Sequence, residues 1–352
     1  MNDRLVIESP QGSIRYEDSV DHFENGVLRL LGLDRETFEH WLSVSESQQG
    51  NDVLEKLGHG FARLSPLART ETLHTAEVEP GPGGERGAIW HPTIAENRSF
   101  GVARSVDGDL GWLIQLSGDL WRREIEPPAY EEDYFEGDKD QAGGYGDYGA
   151  QQDWRLEKAA RQVRELREAT GLPRGRVLDV GSGYGYFQKA LSDDGFEHDG
   201  LELSRHAREA AKARFGFEAL DGTLESHATE LAGRYDAVTL WDVIEHVADP
   251  TALLVAAARC LRPRGFVALK TPNIRCPEAR VFGPHYHSLK REHLVYFTAR
   301  SLVRATGSAG LEPRRVTSVS HLLVGFLGAE RIAELSARNE GADLVAYLQK
   351  PA

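Results

Sequence analysis

Cysteine is almost missing from this chain of 352 residues. There are two, Cys260 and Cys276, and no Cys-x-x-Cys spacing. That argues against a disulfide framework and a cysteine-rich zinc site, and makes a reducing cytoplasm the expected compartment. Long apolar runs are also missing. No stretch approaches the roughly 18 residues of a membrane span, and the opening "MNDRLVIESP" lacks the apolar core of a secretion signal, so no membrane partner is expected. Positive charge is scarce: 41 Lys and Arg face 55 Asp and Glu, a net charge of -14. A general affinity for nucleic-acid phosphates needs a basic surface, so no nucleic-acid partner is expected either.

What is present supports a folded chain of two domains. Hydrophobic residues make up 40%, enough for a core. The acid is unevenly spread. Residues 1–130 hold 22 Asp and Glu against 12 Lys and Arg, a balance of -10, which leaves -4 for the rest. The pattern divides the chain into an N-terminal domain of smaller α+β type (1–125), a Tyr- and Gly-rich lid or linker (126–153) and a third region (154–352). In the first, "RLVIES" and "SIRYED" predict a hairpin, helical patterns follow near Asp21 and Asp34, and "SFGVARS" and "GWLIQLSG" predict strands. In the lid, Tyr134, Phe135, Tyr145 and Tyr148 are placed to close over a ligand.

From Trp154 strands alternate with helices, which predicts a doubly wound, mostly parallel sheet of Rossmann-like type with a terminal antiparallel strand. Its first strand runs into "VLDVGSGYGYF", with Gly181, Gly183 and Gly185 at alternate positions. Glycines between strand and helix let a ligand lie against the backbone. The spacing is G-x-G-x-G and Tyr186 follows, which departs from the dinucleotide fingerprint and disfavours a nicotinamide dehydrogenase. Asp179 stands inside the strand end, where a carboxylate needs partners; loop amides or a ligand ammonium are the candidates. Glu202 closes the next strand in "GLELS", beside the first, where a carboxylate can accept from both hydroxyls of a ribose.

These segments resemble the class I S-adenosylmethionine-dependent methyltransferases. "VLDVGSGYGYF" and "GLELS" are similar to the first and second motifs of that family, "YDAVTLWDVIEHVADP" to the motif after strand 4, and "CLRPRGFVALKTPN" to the strand-5 motif. "REHLVYFTARSLVRATGSAGL" resembles the following segment in a subgroup that includes ubiquinone-type and natural-product enzymes. The resemblance covers residues 126–352 and leaves 1–125 unexplained. It implies S-adenosylmethionine as cofactor and S-adenosylhomocysteine as product. It also implies that Asp179, Gly181, Ser182, Gly183 and Gly185 cradle the methionine end and that Glu202 holds the ribose. Thr223 stands where the family commonly has Asp, so Asp221 or the backbone at Leu224 would take the adenine edge. Trp241 and Asp242 would lie near the transferable methyl and the methionine amino group, with Tyr134 closing from the lid.

Catalytic candidates are histidines, whose proton affinity lies near neutrality. His246 sits one turn beyond Asp242. "HYHSLKREHLVYF" adds His285, His287, Glu292, His293 and Tyr296 where a substrate loop belongs. His246 and His293 are the expected catalytic residues, and His285, His287 and Tyr296 the expected substrate contacts. Glu245, His246 and His293 come from separate segments without compact ligand spacing, so no metal is expected. The resulting expectation is methyl transfer to a small-molecule acceptor, on oxygen, in bacterial secondary metabolism; an Arg-over-Lys bias hints at a GC-rich bacterial genome. A nitrogen or carbon acceptor on a peptide or protein recruited by the N-terminal domain, and a non-catalytic cofactor-binding protein, are the competing readings. A homodimer contact is one use open to residues 1–125.

Overall fold

The computed structural model describes residues 4–9, 12–17, 79–84, 86–91, 100–105, 108–117, 120–124, 135, 152–276, 279, 286, 288–319 and 329–352. The helical patterns near Asp21 and Asp34, and Tyr134, Tyr145, Tyr148, His285 and His287, lie outside these residues.

The expected hairpin is formed by β1 (Arg4–Ser9) and β2 (Gly12–Glu17), which pair antiparallel. Strands β3 (Gly87–His91), β4 (Phe100–Ser105), β5 (Leu110–Ser117) and β6 (Leu120–Arg123) build an antiparallel sheet around the fully buried Trp112. A Cβ on Gly81 or Gly87 would stand 2.7 or 2.3 Å from the Trp112 ring, so glycine is what lets the backbone pack against that indole.

The rest alternates as expected: α1 (Gln152–Thr170), β7 (Arg176–Val180), α2 (Tyr186–Asp193), β8 (Glu197–Glu202), α3 (Arg205–Phe215), β9 (Ala219–Asp221), α4 (Leu224–His227) and β10 (Tyr235–Trp241). A single 3-10 turn, Ile244–His246, leads to α5 (Pro250–Cys260), β11 (Leu261–Pro272), β12 (Val295–Phe297), α6 (Ala299–Ser308), β13 (Glu312–Val319), α7 (Ala329–Ala337) and β14 (Asp343–Gln349). Local chemistry sets the boundaries. Ser204 caps α3 and the left-handed Gly216 ends it. Asp249 accepts from the Ala252 amide, with Pro250 in the first turn of α5.

The large sheet has the order β13-β14-β11-β10-β7-β8-β9. Strands β11, β10, β7, β8 and β9 run parallel. The antiparallel strand is β14, last in the chain; it is inserted between β11 and β13, so β13 forms the edge. Both faces of the sheet are covered, as the unbroken apolar runs of its central strands require. Val177, Ala237, Ala268 and Tyr347 pack with Val163 and Leu166 of α1 and Leu191 of α2 on one face. Their chain neighbours Leu178, Val238, Leu269 and Leu348 pack with Leu254 and Ala257 of α5 and Leu302 of α6 on the other.

The two sheets are joined. β12 pairs antiparallel with β5, Val295 opposite Trp112 and Phe297 opposite Leu110. The Thr298 amide donates to the Asp109 carbonyl at 3.2 Å, and the Leu113 amide to the Leu294 carbonyl at 3.0 Å. Backbone hydrogen bonds therefore cross between residues 100–117 and the segment after β11.

Candidate active site

The carboxyl ends of β7, β8, β9 and β10 open onto one cavity of about 690 Å³, where an open parallel sheet places its ligands. The glycine loop forms its floor. Gly181, Gly183 and Gly185 all have left-handed φ, of 68°, 52° and 80°. At Gly181 a Cβ would stand 2.7 Å from Val243 Cγ2, so both conformation and space call for glycine there. The Gly181 and Ser182 amides donate to the Leu201 carbonyl at 2.8 and 3.2 Å, fastening the loop to β8. Gly185 begins α2 and faces α3, a Cβ there meeting Ala211 Cβ at 3.2 Å; it does not line the cavity.

Asp179 is 2% exposed and accepts from the Thr239 hydroxyl at 2.8 Å, across the β7–β10 register that sets the two residues side by side. The partner expected in the loop amides is thus a hydroxyl on the neighbouring strand. Burial pushes the Asp179 carboxyl up to about 7; the Thr239 bond works against that shift and the nearby Glu202 adds to it. The loop amide goes instead to Glu202: Gly183 N–H donates to Oε2 and Ser204 N–H to Oε1, both at 2.8 Å. Burial raises the Glu202 carboxyl and these amides hold it down. A carboxylate offers about four acceptor sites, so two remain for ligand hydroxyls.

Asp242 follows β10 with a left-handed φ of 59°, and its amide donates to the Lys270 carbonyl at 3.0 Å. Its side chain makes a short ion pair with Lys270, whose Nζ also reaches Asp343 at 3.1 Å, while Lys158 of α1 stands 3.9 Å away. The two aspartates hold the Lys270 ammonium well above its usual proton affinity against the cost of burial. Burial and the Lys270 charge lower that of Lys158. Trp241 Nε1 and Ser182 Oγ are buried and, among the described residues, have no hydrogen-bond partner.

Asp179, Gly181, Ser182, Gly183, Glu202, Thr223, Leu224, Trp241, Asp242 and His246 all line the cavity. Thr223 caps α4, its hydroxyl accepting from the Ser226 amide, and Asp221 is taken up by Arg208 at 2.7 Å. His293 and Tyr296 do not line the cavity; they stand behind His246, whose ring meets that of His293 edge-to-face at 4.7 Å. Tyr296 donates to the Lys290 carbonyl at 3.0 Å. Burial pushes the His246 imidazole down to about 4. The sequence reading missed three wall residues as ligand contacts. Trp154 and Lys158 project from α1, and Leu203 follows Glu202; Trp154 is 46% and Leu203 50% exposed. The available signal was an unpaired large apolar group at a motif end, since such exposure is otherwise hard to account for.

Residues 151–316 match the family described as "Methyltransferase domain". Two curated relatives are ubiquinone biosynthesis O-methyltransferases. That of Vibrio campbellii is 33% identical over 135 residues, covering 34% of this chain and 57% of the relative. That of Bordetella avium is 29% identical over 181 residues, covering 45% and 74%. The chain thus spans a little over half the length of the former. Among solved structures, a SAM dependent methyltransferase from Archaeoglobus fulgidus aligns at 15% identity over 58% of this chain and 99% of its own, with a TM-score of 0.44. Residues 151–316, a little under half of the chain, are thus a methyltransferase-domain segment, and that family implies S-adenosylmethionine as cofactor.

The cofactor of that family fits this site. Two buried carboxylates stand at adjoining strand ends, side chains are missing where the loop must be approached, and Trp241 offers a buried donor. Among the described residues no helix is long and apolar enough to cross a membrane.

Proposed function

We propose that the chain transfers a methyl group from S-adenosylmethionine to an oxygen of a small-molecule acceptor. The observation that carries this reading is the pairing of Asp179 and Glu202 across one cavity floored by the glycine loop. When bound, the cofactor supplies an electrophilic methyl on a sulfonium. Glu202 holds the ribose hydroxyls through its two remaining acceptor sites. Asp179 accepts from the methionine ammonium, and the positive charge there favours its ionised form. Trp154, Leu203, Val243 and Val247 exclude water from the cavity. Fixing the reacting atoms in line supplies on the order of 7–11 kcal/mol of barrier reduction, so the chemistry asks little more of the protein than alignment.

Among the described residues His246 is the imidazole on the cavity wall, so it faces the acceptor. Held neutral by burial, it accepts a hydrogen bond from an acceptor hydroxyl and orients the oxygen, with His293 packed behind it. Tyr134 is assigned to the cofactor, and His285 and His287 to the acceptor. The choice of oxygen follows the O-methyltransferase activity of the ubiquinone biosynthesis relatives. We place the reaction in the bacterial cytoplasm and in secondary metabolism. Residues 1–125 are an accessory domain on this reading and the surface for a homodimer.

Calorimetric titration with S-adenosylmethionine, beside Asp179→Ala and Glu202→Ala, tests the reading. Micromolar binding weakened by both substitutions is expected. A folded wild type that does not bind, or binding indifferent to both changes, overturns it.

A further inference from the structure

The stretch of cavity wall that carries His246 is held from behind by the antiparallel sheet β3–β6. This wall follows β10, and Val243, His246, Val247, Ala248 and Asp249 of it line the cavity. Its local structure is short. A 3-10 turn closes when the His246 amide donates to the Val243 carbonyl at 3.0 Å, Val247 is extended, and the next helix begins at Pro250. A link of this kind takes backbone partners from outside itself. Two lines of hydrogen bonds reach it from the sheet. In the first, Leu113 of β5 donates its amide to the Leu294 carbonyl at 3.0 Å, and Leu294 donates its own amide to the Glu245 carbonyl at 2.7 Å. Leu113, Leu294 and Glu245 are all buried. In the second, the Arg123 guanidinium of β6 donates to the Ala248 carbonyl, a charge-assisted bond across 125 positions of chain. Arg123 is itself well anchored. Its amide donates to Glu79 Oε2 at 3.0 Å, the Glu79 carbonyl accepts from the Trp112 indole at 3.2 Å, and its strand places it opposite Ile114 of β5. The wall is thus gripped at Glu245 on one side of His246 and at Ala248 on the other.

We propose that the sheet β3–β6 is a brace for the acceptor wall of its own chain, and that Arg123 is a positioning residue that fixes His246 toward the acceptor. The proposal rests on the methyltransferase reading, in which His246 faces the acceptor. The brace acts on one half of the cavity. Asp179 and Glu202 are held by Thr239, Gly183 and Ser204, which belong to the parallel sheet and its loops. The two sheets also meet elsewhere: Asp109 takes the Thr298 hydroxyl at 3.5 Å and Arg300 at 3.4 Å, but these contacts reach the cap of α6 rather than the cavity. Leu113 of the brace and Ile244 of the wall belong to one apolar cluster, so the hydrogen bonds work against a packed backing. Displacing an orienting group by 1 Å can cost about 10²-fold in rate, which is the scale on which such a brace matters. The role gives residues 79–124 a use within one chain, without a recruited partner.

Amide hydrogen exchange of the full chain, followed by mass spectrometry, compares wild type with Arg123→Met, Arg123→Lys, Glu79→Ala and Arg300→Met. S-adenosylmethionine affinity is measured on the same samples. In Arg123→Met, exchange across 243–249 and around Leu294 is expected to rise about 10- to 100-fold, the scale of one lost hydrogen bond to a charged donor. The glycine loop 181–185 should keep its rate, and cofactor affinity should stay that of wild type. Arg123→Lys keeps a charged donor on a long stem and should restore most of the protection. Glu79→Ala, which releases the Arg123 backbone, should give a smaller rise in the same place, and Arg300→Met none. Exchange at 243–249 that is unchanged in both Arg123→Met and Glu79→Ala, or that rises equally across β7, β8 and β10, overturns the brace. A lysine variant as loose as the methionine one overturns the part given to the charged donor. If Arg123→Met fails to fold, Glu79→Ala against Arg300→Met still decides. A cofactor affinity that falls as the wall loosens overturns the assignment of the brace to the acceptor. Failure of wild type to bind S-adenosylmethionine overturns the methyltransferase reading and leaves the exchange result standing.

Discussion

Thr239 and Asp179 face each other across neighbouring strands, the threonine hydroxyl donating to the aspartate at 2.8 Å with both side chains buried. The bond settles where the carboxyl points, and its neutral donor leaves the charge of an ionised Asp179 uncompensated until a cation enters the cavity.

The protein without cofactor is therefore expected to lose stability as pH rises. The unfolded carboxyl ionises near 3.9 and the folded one near 7. Below about pH 4 both states keep the proton and stability is at its full value. Between about 4 and 7 the unfolded chain releases the proton while the folded one keeps it, at a cost of roughly 4 kcal/mol by pH 7. Asp179→Asn removes this loss. Its Tm without cofactor should exceed that of wild type at pH 8 and approach it at pH 4, and its cofactor binding should be weaker throughout. Equal slopes of Tm against pH in the two proteins would sink the assignment.

Cofactor binding itself should tighten between pH 6 and 8 in the wild type, because the ligand's positive charge favours the ionised Asp179. Titrations with S-adenosylmethionine across that range read it directly. A dissociation constant that is flat with pH, or rises, contradicts the pairing.

Glu202→Ala removes two hydrogen bonds from ribose hydroxyls to a charged acceptor, each about 1.5–3 kcal/mol. The two together make a loss of about 10²- to 10⁴-fold in affinity for S-adenosylhomocysteine the expected result at that scale. Glu202→Gln, which keeps an acceptor, should lose less. An unchanged dissociation constant in the alanine variant would put the ribose elsewhere.

Lys270→Met leaves Asp242 and Asp343 close together without their shared cation. Breaking a buried pair in this way costs about 3–5 kcal/mol. The denaturation midpoint should fall accordingly, and the double change with Asp343→Leu should recover part of it. A single variant as stable as wild type would show that solvent already screens the cluster.

Most of the sheet could be read from the sequence, because central strands buried on both faces leave unbroken apolar runs and their helices carry caps such as Ser204 and Asp249. The ligand end of the site was legible for a related reason. Glycines at left-handed positions and an acid at a strand end leave a local signature. The rest depended on distant pairing. Lys158 and Trp154 sit on a helix whose cavity-facing side looks like a solvated one until β10 and β11 stand opposite. The expectation that His246 shares a face with Asp242 through one helical turn reached the right wall by a different route. Asp242 is left-handed, and the 3-10 turn after it swings His246 into the cavity. A three-residue strand, β12, has too few residues to show a period, so its pairing with β5 carried no sequence signal.

That pairing also fixes an order of events during synthesis. β5 is complete by Ser117, but the strand that covers its flank ends at Phe297. At about 5–20 residues per second, a ribosome needs on the order of ten seconds or more to make the intervening chain. For that interval the Trp112 sheet waits with an open edge, and the methyltransferase segment emerges onto a partner already made.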